Sequence, residues 1–400
     1  MPQDVQTEVP IDAEAKWFEP DAVDEVAEER DEPIDEYDLT SSPNDFNVTT
    51  LVDFIESGAV RIPGFQRNYI WDIRRASRLI ESLVLGIPVP QLFWYEQARN
   101  KFLVIDGQQR LMSVYYFVKG RFPILEKRPE LRRIFERNGM IPNEIFEDDH
   151  YFQKFNLNLP SGLPNHPNKF HGLNYSTLGD FTPQFRLRTI RNVIIKQIAP
   201  KGDDSVIYNI FYRLNWGGVN VTPQEIRISL YHSKFYDMLL RVNTMDGWRL
   251  FVGLEEPDLH VKDVEFLLRG FAMLIDGHNY NPSMSKFLNK FSKTAQSFGS
   301  DDVTYYEALF QSFVTACSGL SPNAFRISNK FSANVFEAVF SAACSGALSC
   351  RTLVGGKIRP ESVEALRADN EFTRAAGSQS TNKPNVKVRL EKAQNLIVVG

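Results

Sequence analysis

The 400-residue sequence has few cysteines and no long apolar run. Its three cysteines, Cys317, Cys344 and Cys350, are irregularly spaced and form no C-x-x-C pair. This spacing argues against a disulfide framework or a zinc site and favours free thiols in a reducing compartment. No apolar run approaches the roughly 18 residues that a membrane helix needs, and the N-terminus carries no basic-then-apolar signal peptide. We therefore expect a soluble, cytoplasmic protein with no membrane partner.

The net charge of −5 hides a strong asymmetry along the chain. Residues 1–40 carry 15 acidic and 2 basic residues, a net charge of −13, whereas the other 360 residues carry 35 acidic and 43 basic residues, a net charge of +8. The acidic composition predicts a disordered segment over residues 1–42. The mildly basic remainder is compatible with a polyanionic ligand, and equally with an ordinary solvated surface.

Two kinds of pattern divide the remaining chain. Residues 43–235 alternate helical and strand patterns, with a loop-rich insertion at about 126–184, whereas residues 236–400 are almost entirely helical in pattern. The helical spacing of Ala76, Leu79, Ile80, Leu83 and Val84 predicts a helix that ends at Gly86, and residues 91–96 and 101–106 predict a hairpin. We therefore predict an α+β domain with a small mixed sheet, followed by an α-helical bundle.

The stretch "VIDGQQRLMSV" (104–114) places polar residues between two apolar runs. Asp106 and Gln109 have the spacing of a capping box, so a strand, a glycine turn and a helix start explain both without any function. Arg110 is different, because a cation in the first helical turn is opposed by the helix dipole. A bound phosphate would make it favourable, and a pairing with Asp106 is the structural alternative.

Two further stretches combine the same types of residue. "FQRNYIW" (65–71) places Gln66, Arg67 and Trp71 in a loop that hydrophobic patterning does not require. "FYRLNWGGVNVTPQEIR" (211–227) contains a helix end, two glycines and a new helix start, at which Thr222, Pro223 and Glu225 form a capping box. This second helix start is another candidate for binding an anion or a base.

Four blocks in this order resemble the N-terminal domain of GmrSD-type restriction endonucleases: "IPGFQRNYIW", "LIESLVLGIPVPQLFWY", "LVIDGQQRLMSVYYFVKGRF" and "IFYRLNWGGVNVTPQEIR". The resemblance covers about residues 46–125 and 185–235, and D-G-Q-Q-R is the hallmark of the family. It implies a core similar to the ParB/sulfiredoxin fold that binds nucleotides and, in some members, hydrolyses them. In such proteins, nucleotide turnover couples the recognition of modified phage DNA to a nuclease.

The resemblance also implies roles for individual residues, with GTP or ATP and Mg²⁺ as ligands. Asp106 would hold the metal or orient water, and Gln108 or Gln109 would position the attacking water. Phosphoryl transfer needs mainly positioning and charge neutralisation, so these residue types suffice. The remaining residues of the four blocks would bind the nucleotide: Gln66, Arg67, Gly107, Arg110, Arg213, Asn215, Gly217 and Gly218.

The sequence departs from family nucleases in one respect. It contains no segment that resembles a His-Asn-His nuclease, and "DGHNYN" (276–281) reads as a polar turn. We therefore expect a sensing module that works with a nuclease effector in trans. The alternative is a non-enzymatic module that binds DNA or a HEPN-type nuclease in the manner of an antitoxin. A nickase within the core and a homo-oligomer both stay open at this point.

Overall fold

The computed structural model describes residues 17–18, 38–61, 69–128, 130–131, 134, 141–160, 168–199, 205–214, 222–258, 260–377 and 379–400. The strands are β1 (Asp38–Asn47), β2 (Val60–Arg61), β3 (Leu92–Ala98), β4 (Lys101–Asp106), β5 (Arg121–Pro123), β6 (Phe152–Lys154), β7 (Thr189–Ala199), β8 (Arg326–Ile327) and β9 (Lys330–Phe331). The predicted α+β class is confirmed.

Helices connect the strands of the first half and make up most of the second half. The first half contains α1 (Val48–Glu56), α2 (Ile73–Leu85), α3 (Gln108–Lys119), α4 (Asn143–Glu147), α5 (Phe181–Leu187), α6 (Ser205–Leu214) and α7 (Pro223–Leu230). The second half contains α8 (Lys234–Asn243), α9 (Asp246–Val252), α10 (Lys262–Asp276), α11 (Met284–Ala295), α12 (Ser300–Ala316), α13 (Ala333–Cys350), α14 (Pro360–Ala368), α15 (Asn370–Ala376) and α16 (Lys383–Leu396).

Five strands form one mixed sheet in the order β1-β7-β3-β4-β2. The β3–β4 pair is the predicted hairpin, and β7 joins it in parallel with β3, with Leu92 opposite Asn192. The edge strand β1 runs antiparallel to β7 and starts at Asp38. Residues 38–42, which the composition assigned to a disordered segment, therefore lie in a strand. Hydrogen bonding to β7 fixes this backbone, and composition alone does not reveal that partner.

The two faces of the sheet carry two separate hydrophobic cores. Trp94 and Val104 lie in the first core, with α1, α2, α3 and α5. This core also includes aromatic residues from the predicted insertion, such as Phe152 and Phe170. Leu103 lies on the opposite face, in a second core that begins with α6 and α7 and continues through the helical half. This core runs without a break across the domain boundary predicted near residue 235.

The long apolar helix α13 lies at the centre of the helical half. It has the length and composition to cross a bilayer, but half of it is buried in the protein. Its neighbours are α10, α12 and α16. Its buried Glu337 makes ion pairs to Arg269 at 3.0 Å and to Arg389 at 2.7 Å. These contacts are those of a core helix.

Candidate functional site

The D-G-Q-Q-R motif forms the turn between β4 and α3. Gly107 is the N-cap of α3 and adopts a left-handed conformation with φ of +93°, which glycine reaches without steric cost. A Cβ atom at this position would also collide with the side chain of Leu92. Both the backbone angle and the close neighbour therefore require glycine at the turn.

The structure does not contain the capping box predicted for Asp106 and Gln109. No side chain caps α3, because the left-handed turn makes Gly107 the N-cap. Asp106 then lies one residue too early, and its carboxylate accepts a hydrogen bond from the guanidinium of Arg110 at 2.7 Å instead. The alternative pairing of Arg110 with Asp106, which the sequence left open, is therefore present. The amides at the start of α3 remain without a side-chain cap.

Arg110 is held at the turn with part of its guanidinium unused. Its Nη2 atom donates to Asp106 and, at 3.1 Å, to the carbonyl of Gln91. Its Nε atom is buried and has no hydrogen-bond partner among the described residues. The side chains of Arg110 and Asp106 are 17% and 35% exposed, respectively. An unmatched buried donor costs roughly 1–3 kcal/mol, so the turn has unused capacity to bind an anion.

Gln109 contacts the chain that follows the first family block. Its side-chain oxygen accepts the backbone N–H groups of Ile70 at 3.1 Å and Trp71 at 3.3 Å. This contact joins "FQRNYIW" to D-G-Q-Q-R in space. The predicted site residues Gln66 and Arg67 lie outside the described residues, a few positions before Ile70. Gln108 makes no hydrogen bond to any described residue, which leaves its amide available.

Arg128 also anchors this segment, and the sequence analysis did not identify it. Its guanidinium donates to the carbonyls of Tyr69 and, at 3.0 Å, Trp71. The hydroxyl of Ser113 donates to the Gln109 carbonyl at 2.7 Å and lies 2.6 Å from the Tyr69 hydroxyl. Burial raises the pKa of the Tyr69 phenol. Its hydroxyl therefore stays protonated and can donate a hydrogen bond to the Ser113 hydroxyl. Residues 69–71 are thus fixed from three directions.

The fourth block packs on the other face of the sheet. α6 and α7 belong to the second core, whereas α3 belongs to the first. Arg213 is exposed in the last turn of α6. The predicted residues Asn215, Gly217 and Gly218 lie outside the described residues. The predicted capping box of α7 is confirmed: Thr222 Oγ1 accepts the Glu225 N–H at 3.3 Å, and the Glu225 carboxylate accepts the Thr222 N–H at 2.7 Å.

A metal at this site would depend on Asp106. Among the described residues, no group of three or more histidine, cysteine, aspartate or glutamate residues could hold a metal ion. Mg²⁺ commonly binds through one or two carboxylates together with substrate phosphates. Asp106 fits such a role, because Oδ1 makes no hydrogen bond to a described residue while Oδ2 holds Arg110.

Comparison with known proteins places this site in a known domain. Residues 48–232 match the family model described as GmrSD restriction endonuclease, N-terminal domain. An uncharacterized protein of Methanocaldococcus jannaschii is 19% identical over 239 residues, which cover 46% of this chain and 41% of that relative. The chain thus spans less than half the length of this curated relative. No solved structure matches the chain, so the likeness to the ParB/sulfiredoxin fold stays a prediction. At residues 48–232 the chain therefore carries an N-terminal domain of the GmrSD restriction endonuclease family.

Proposed function

We propose that this chain is the nucleotide-binding and hydrolysing sensor of a bacterial restriction or anti-phage system, and that it acts with a nuclease effector in trans. The family match supports a role in a restriction system. Nucleotide binding, nucleotide hydrolysis and the action of an effector protein in trans are our proposals. GTP or ATP with Mg²⁺ is the proposed ligand, and DNA and the effector protein are the proposed partners.

The arrangement at Arg110 is the observation that supports nucleotide binding. A left-handed glycine turn leads from β4 into a helix whose N-terminal amides have no side-chain cap. A largely buried guanidinium lies beside these amides, and its Nε has no partner within the described part of the chain. Helix N-termini and arginine are the two protein groups best suited to phosphate. A triphosphate bound at this turn would contact both the N-terminal amides of α3 and the guanidinium of Arg110.

Different residues of the motif carry different parts of the proposed reaction. Arg110 and the α3 amides bind phosphate, and Asp106 orients the attacking water or would hold Mg²⁺, which when bound would supply neutralisation of the phosphate charge. Gln108, whose amide makes no hydrogen bond to a described residue, positions the water. Gln109 already holds the backbone of Ile70 and Trp71, so it acts as a positioning residue for this segment and does not touch the reacting atoms.

The binding step is tested by calorimetric titration of GTP and ATP, with Mg²⁺, into the unsubstituted chain and the Arg110→Ala variant. Charge-assisted hydrogen bonds contribute roughly 1.5–3 kcal/mol each, so Arg110→Ala should weaken binding at least about tenfold. Arg191→Ala is the matched control, because Arg191 pairs with Asp45 at 2.9 Å on an exposed part of the sheet. Equal affinity for all three proteins would remove the phosphate role.

The hydrolysis step is tested separately with Asp106→Asn. This change removes the carboxylate but leaves an amide that can still accept from Arg110. We expect phosphate release to fall by about a hundredfold or more, in the range of positioned acid–base groups. Nucleotide binding without Mg²⁺ should be unchanged, since Arg110 remains. Unchanged phosphate release would exclude Asp106 from the chemistry and leave the binding proposal intact.

A second candidate function is DNA binding without nucleotide chemistry. Arg74, Arg75 and Arg78 lie on the exposed face of α2, and Arg75 lies 4.6 Å from the centre of the Trp71 ring. If this face binds DNA, affinity should fall steeply as salt rises, because each neutralised phosphate releases counterions. Salt-dependent DNA binding that nucleotide does not change, together with no nucleotide binding in calorimetry, would favour this candidate.

A further inference from the structure

An aromatic pair from the acidic N-terminal segment lies against the helical half. Trp17 and Phe18 are partly buried beside the short ribbon formed by β8 and β9. The Trp17 carbonyl accepts the Phe331 N–H at 3.0 Å, and Phe18 forms a parallel bridge with Phe331. The pair thus adds one bridge and one main-chain hydrogen bond to the edge of the ribbon, from about 300 residues away along the chain.

The side chains of the pair fill a groove that recognises each ring. Both rings meet Phe266 edge-on, at centroid distances of 5.6 Å for Trp17 and 5.7 Å for Phe18. The Trp17 indole N–H donates to Asp258 at 3.3 Å. The Lys262 ammonium lies 5.4 Å from the centre of the Phe18 ring, within the range of a cation–π contact. The main-chain hydrogen bond, the aromatic contacts and the polar contacts together resemble the recognition of an extended peptide at a sheet edge.

The wall of this groove also supports the start of α7. The second carboxylate oxygen of Asp258 accepts the N–H groups of His260 and Lys262 at 2.9 and 3.0 Å. The His260 carbonyl in turn lies 3.4 Å from the hydroxyl of Thr222, the N-cap of α7. The groove therefore adjoins the last block of the GmrSD domain through one short segment of chain.

We propose that this groove is a peptide-binding site for an adjacent Trp-Phe pair within an acidic segment, and that the chain's own segment occupies it in cis. The pair stands in the sequence "DAEAKWFEPDAVDE" (12–25), which carries six acidic residues and one lysine. The exposed Lys330 in β9 supplies a positive charge beside the groove, and Lys262, which pairs with Glu265, contacts the Phe18 ring. This proposal does not depend on nucleotide binding.

The length of the connection makes occupancy in cis favourable even for a weak contact. Residues 19–37 link the pair to β1 along the chain, and a linker of this length gives an effective concentration on the order of 1 mM. A groove that binds the free peptide at about 100 µM would then be occupied roughly 90% of the time. A competing peptide would bind the intact chain about tenfold more weakly than a chain whose own pair is removed.

Two full-length proteins test this prediction. A dye-labelled peptide of residues 11–25 is titrated, with fluorescence anisotropy as the readout, into the unsubstituted chain and into the Trp17→Ala/Phe18→Ala variant. We expect saturable binding to the variant and about tenfold weaker binding to the unsubstituted chain. A peptide with both aromatic residues changed to alanine should bind neither protein. No binding to the variant up to 1 mM, on the order of the effective concentration above, or equal binding to both proteins, would overturn the proposal.

Trypsin distinguishes occupancy in cis from exchange with a second copy. Within residues 1–37 trypsin can cut only after Lys16 and Arg30. Lys16 immediately precedes the docked pair, and cleavage after Arg30 serves as the internal reference. We expect Phe18→Ala to accelerate cleavage after Lys16 at least tenfold and to leave cleavage after Arg30 within twofold. Protection of Lys16 that rises with protein concentration would show that a second copy fills the groove, and would contradict occupancy in cis.

Discussion

The side-chain oxygen of Gln109 accepts the backbone N–H of Ile70 at 3.1 Å. This hydrogen bond connects two family blocks that are about 40 residues apart in the chain. It gives one of the two adjacent glutamines a positioning role and leaves the other, Gln108, without a hydrogen bond to the described residues. The two glutamines of the motif should therefore respond differently to the same substitution.

Gln109→Ala should destabilise the protein, whereas Gln108→Ala should not. The first change leaves the N–H groups of Ile70 and Trp71 without their acceptor. Ile70 is exposed and Trp71 is partly buried, so we expect a cost of about 0.5–1.5 kcal/mol, the net contribution of an ordinary hydrogen bond. The second removes no hydrogen bond to a described residue and should stay within about 0.5 kcal/mol. Urea unfolding of both variants measures the difference. Equal stability of the two variants would be incompatible with the proposed anchoring role.

Gly107→Ala should be among the most destabilising changes in the domain. It combines left-handed backbone strain, of about 1–3 kcal/mol, with a collision against Leu92. Gly120→Ala is the matched control, because Gly120 ends the same helix with φ of +68° but has open space around a Cβ atom. We expect Gly107→Ala to cost at least about 1 kcal/mol more than Gly120→Ala, since overpacking adds 1–3 kcal/mol. If Gly107→Ala and Gly120→Ala lowered the denaturant midpoint by similar amounts, the predicted collision with Leu92 would be contradicted.

Local sequence patterns predicted the elements that carry the site. The apolar spacing of α2, the β3–β4 hairpin and the capping box of α7 all appear in the structure. Each of these depends on residues within a few positions of one another. Asp106 shows where local patterns fail, because two arrangements fit the same spacing. The left-handed angle at Gly107 decides between them in favour of the pair with Arg110.

Other parts of the site depend on contacts that are distant in sequence. Arg128 lies in a region that reads as irregular, and only the fold brings its guanidinium to Tyr69 and Trp71. Trp17 lies in a segment whose composition predicts disorder, and no local pattern reveals its contact with Phe266. The division of the family blocks between the two faces of the sheet likewise follows from strand order, which residue spacing does not contain.

Removing one residue of a buried ion pair in the helical half should destabilise the fold far more than removing one residue of an exposed pair. Arg389→Ala would leave Glu337, which is 1% exposed, with Arg269 as its one described ionic partner. Removing one member of a buried ionic group costs about 3–5 kcal/mol. Lys387→Ala in the same helix removes an exposed pair with Glu391 and should cost less than 1 kcal/mol. Thermal unfolding of the two variants checks this contrast, and a loss below about 1 kcal/mol for Arg389→Ala would contradict it.

Acid should weaken the start of α15. Asp369 accepts the backbone N–H groups of Phe372 and Glu371 there, and these bonds, with Lys392, hold the pKa of its carboxyl below the ordinary value of 3.8. A lowered pKa stabilises the fold above pH 3.8, and that stabilisation is lost as the pH falls through the lowered value. Asp369→Asn keeps an N-cap that does not titrate, so its melting temperature should fall less between pH 6 and pH 3. Melting temperatures that fall equally with pH in the unsubstituted chain and in Asp369→Asn would contradict a stabilising contribution of the Asp369 carboxylate.

The most direct test of the central claim compares a nucleoside with its triphosphate. Guanosine and GTP, or adenosine and ATP, are titrated into the unsubstituted chain and the Arg110→Ala variant. If Arg110 and the start of α3 hold the phosphates, the unsubstituted chain will bind the triphosphate more tightly than the nucleoside, and Arg110→Ala will reduce that difference at least about tenfold. Nucleoside affinity should stay unchanged. A triphosphate preference of the same size in both proteins would contradict the account.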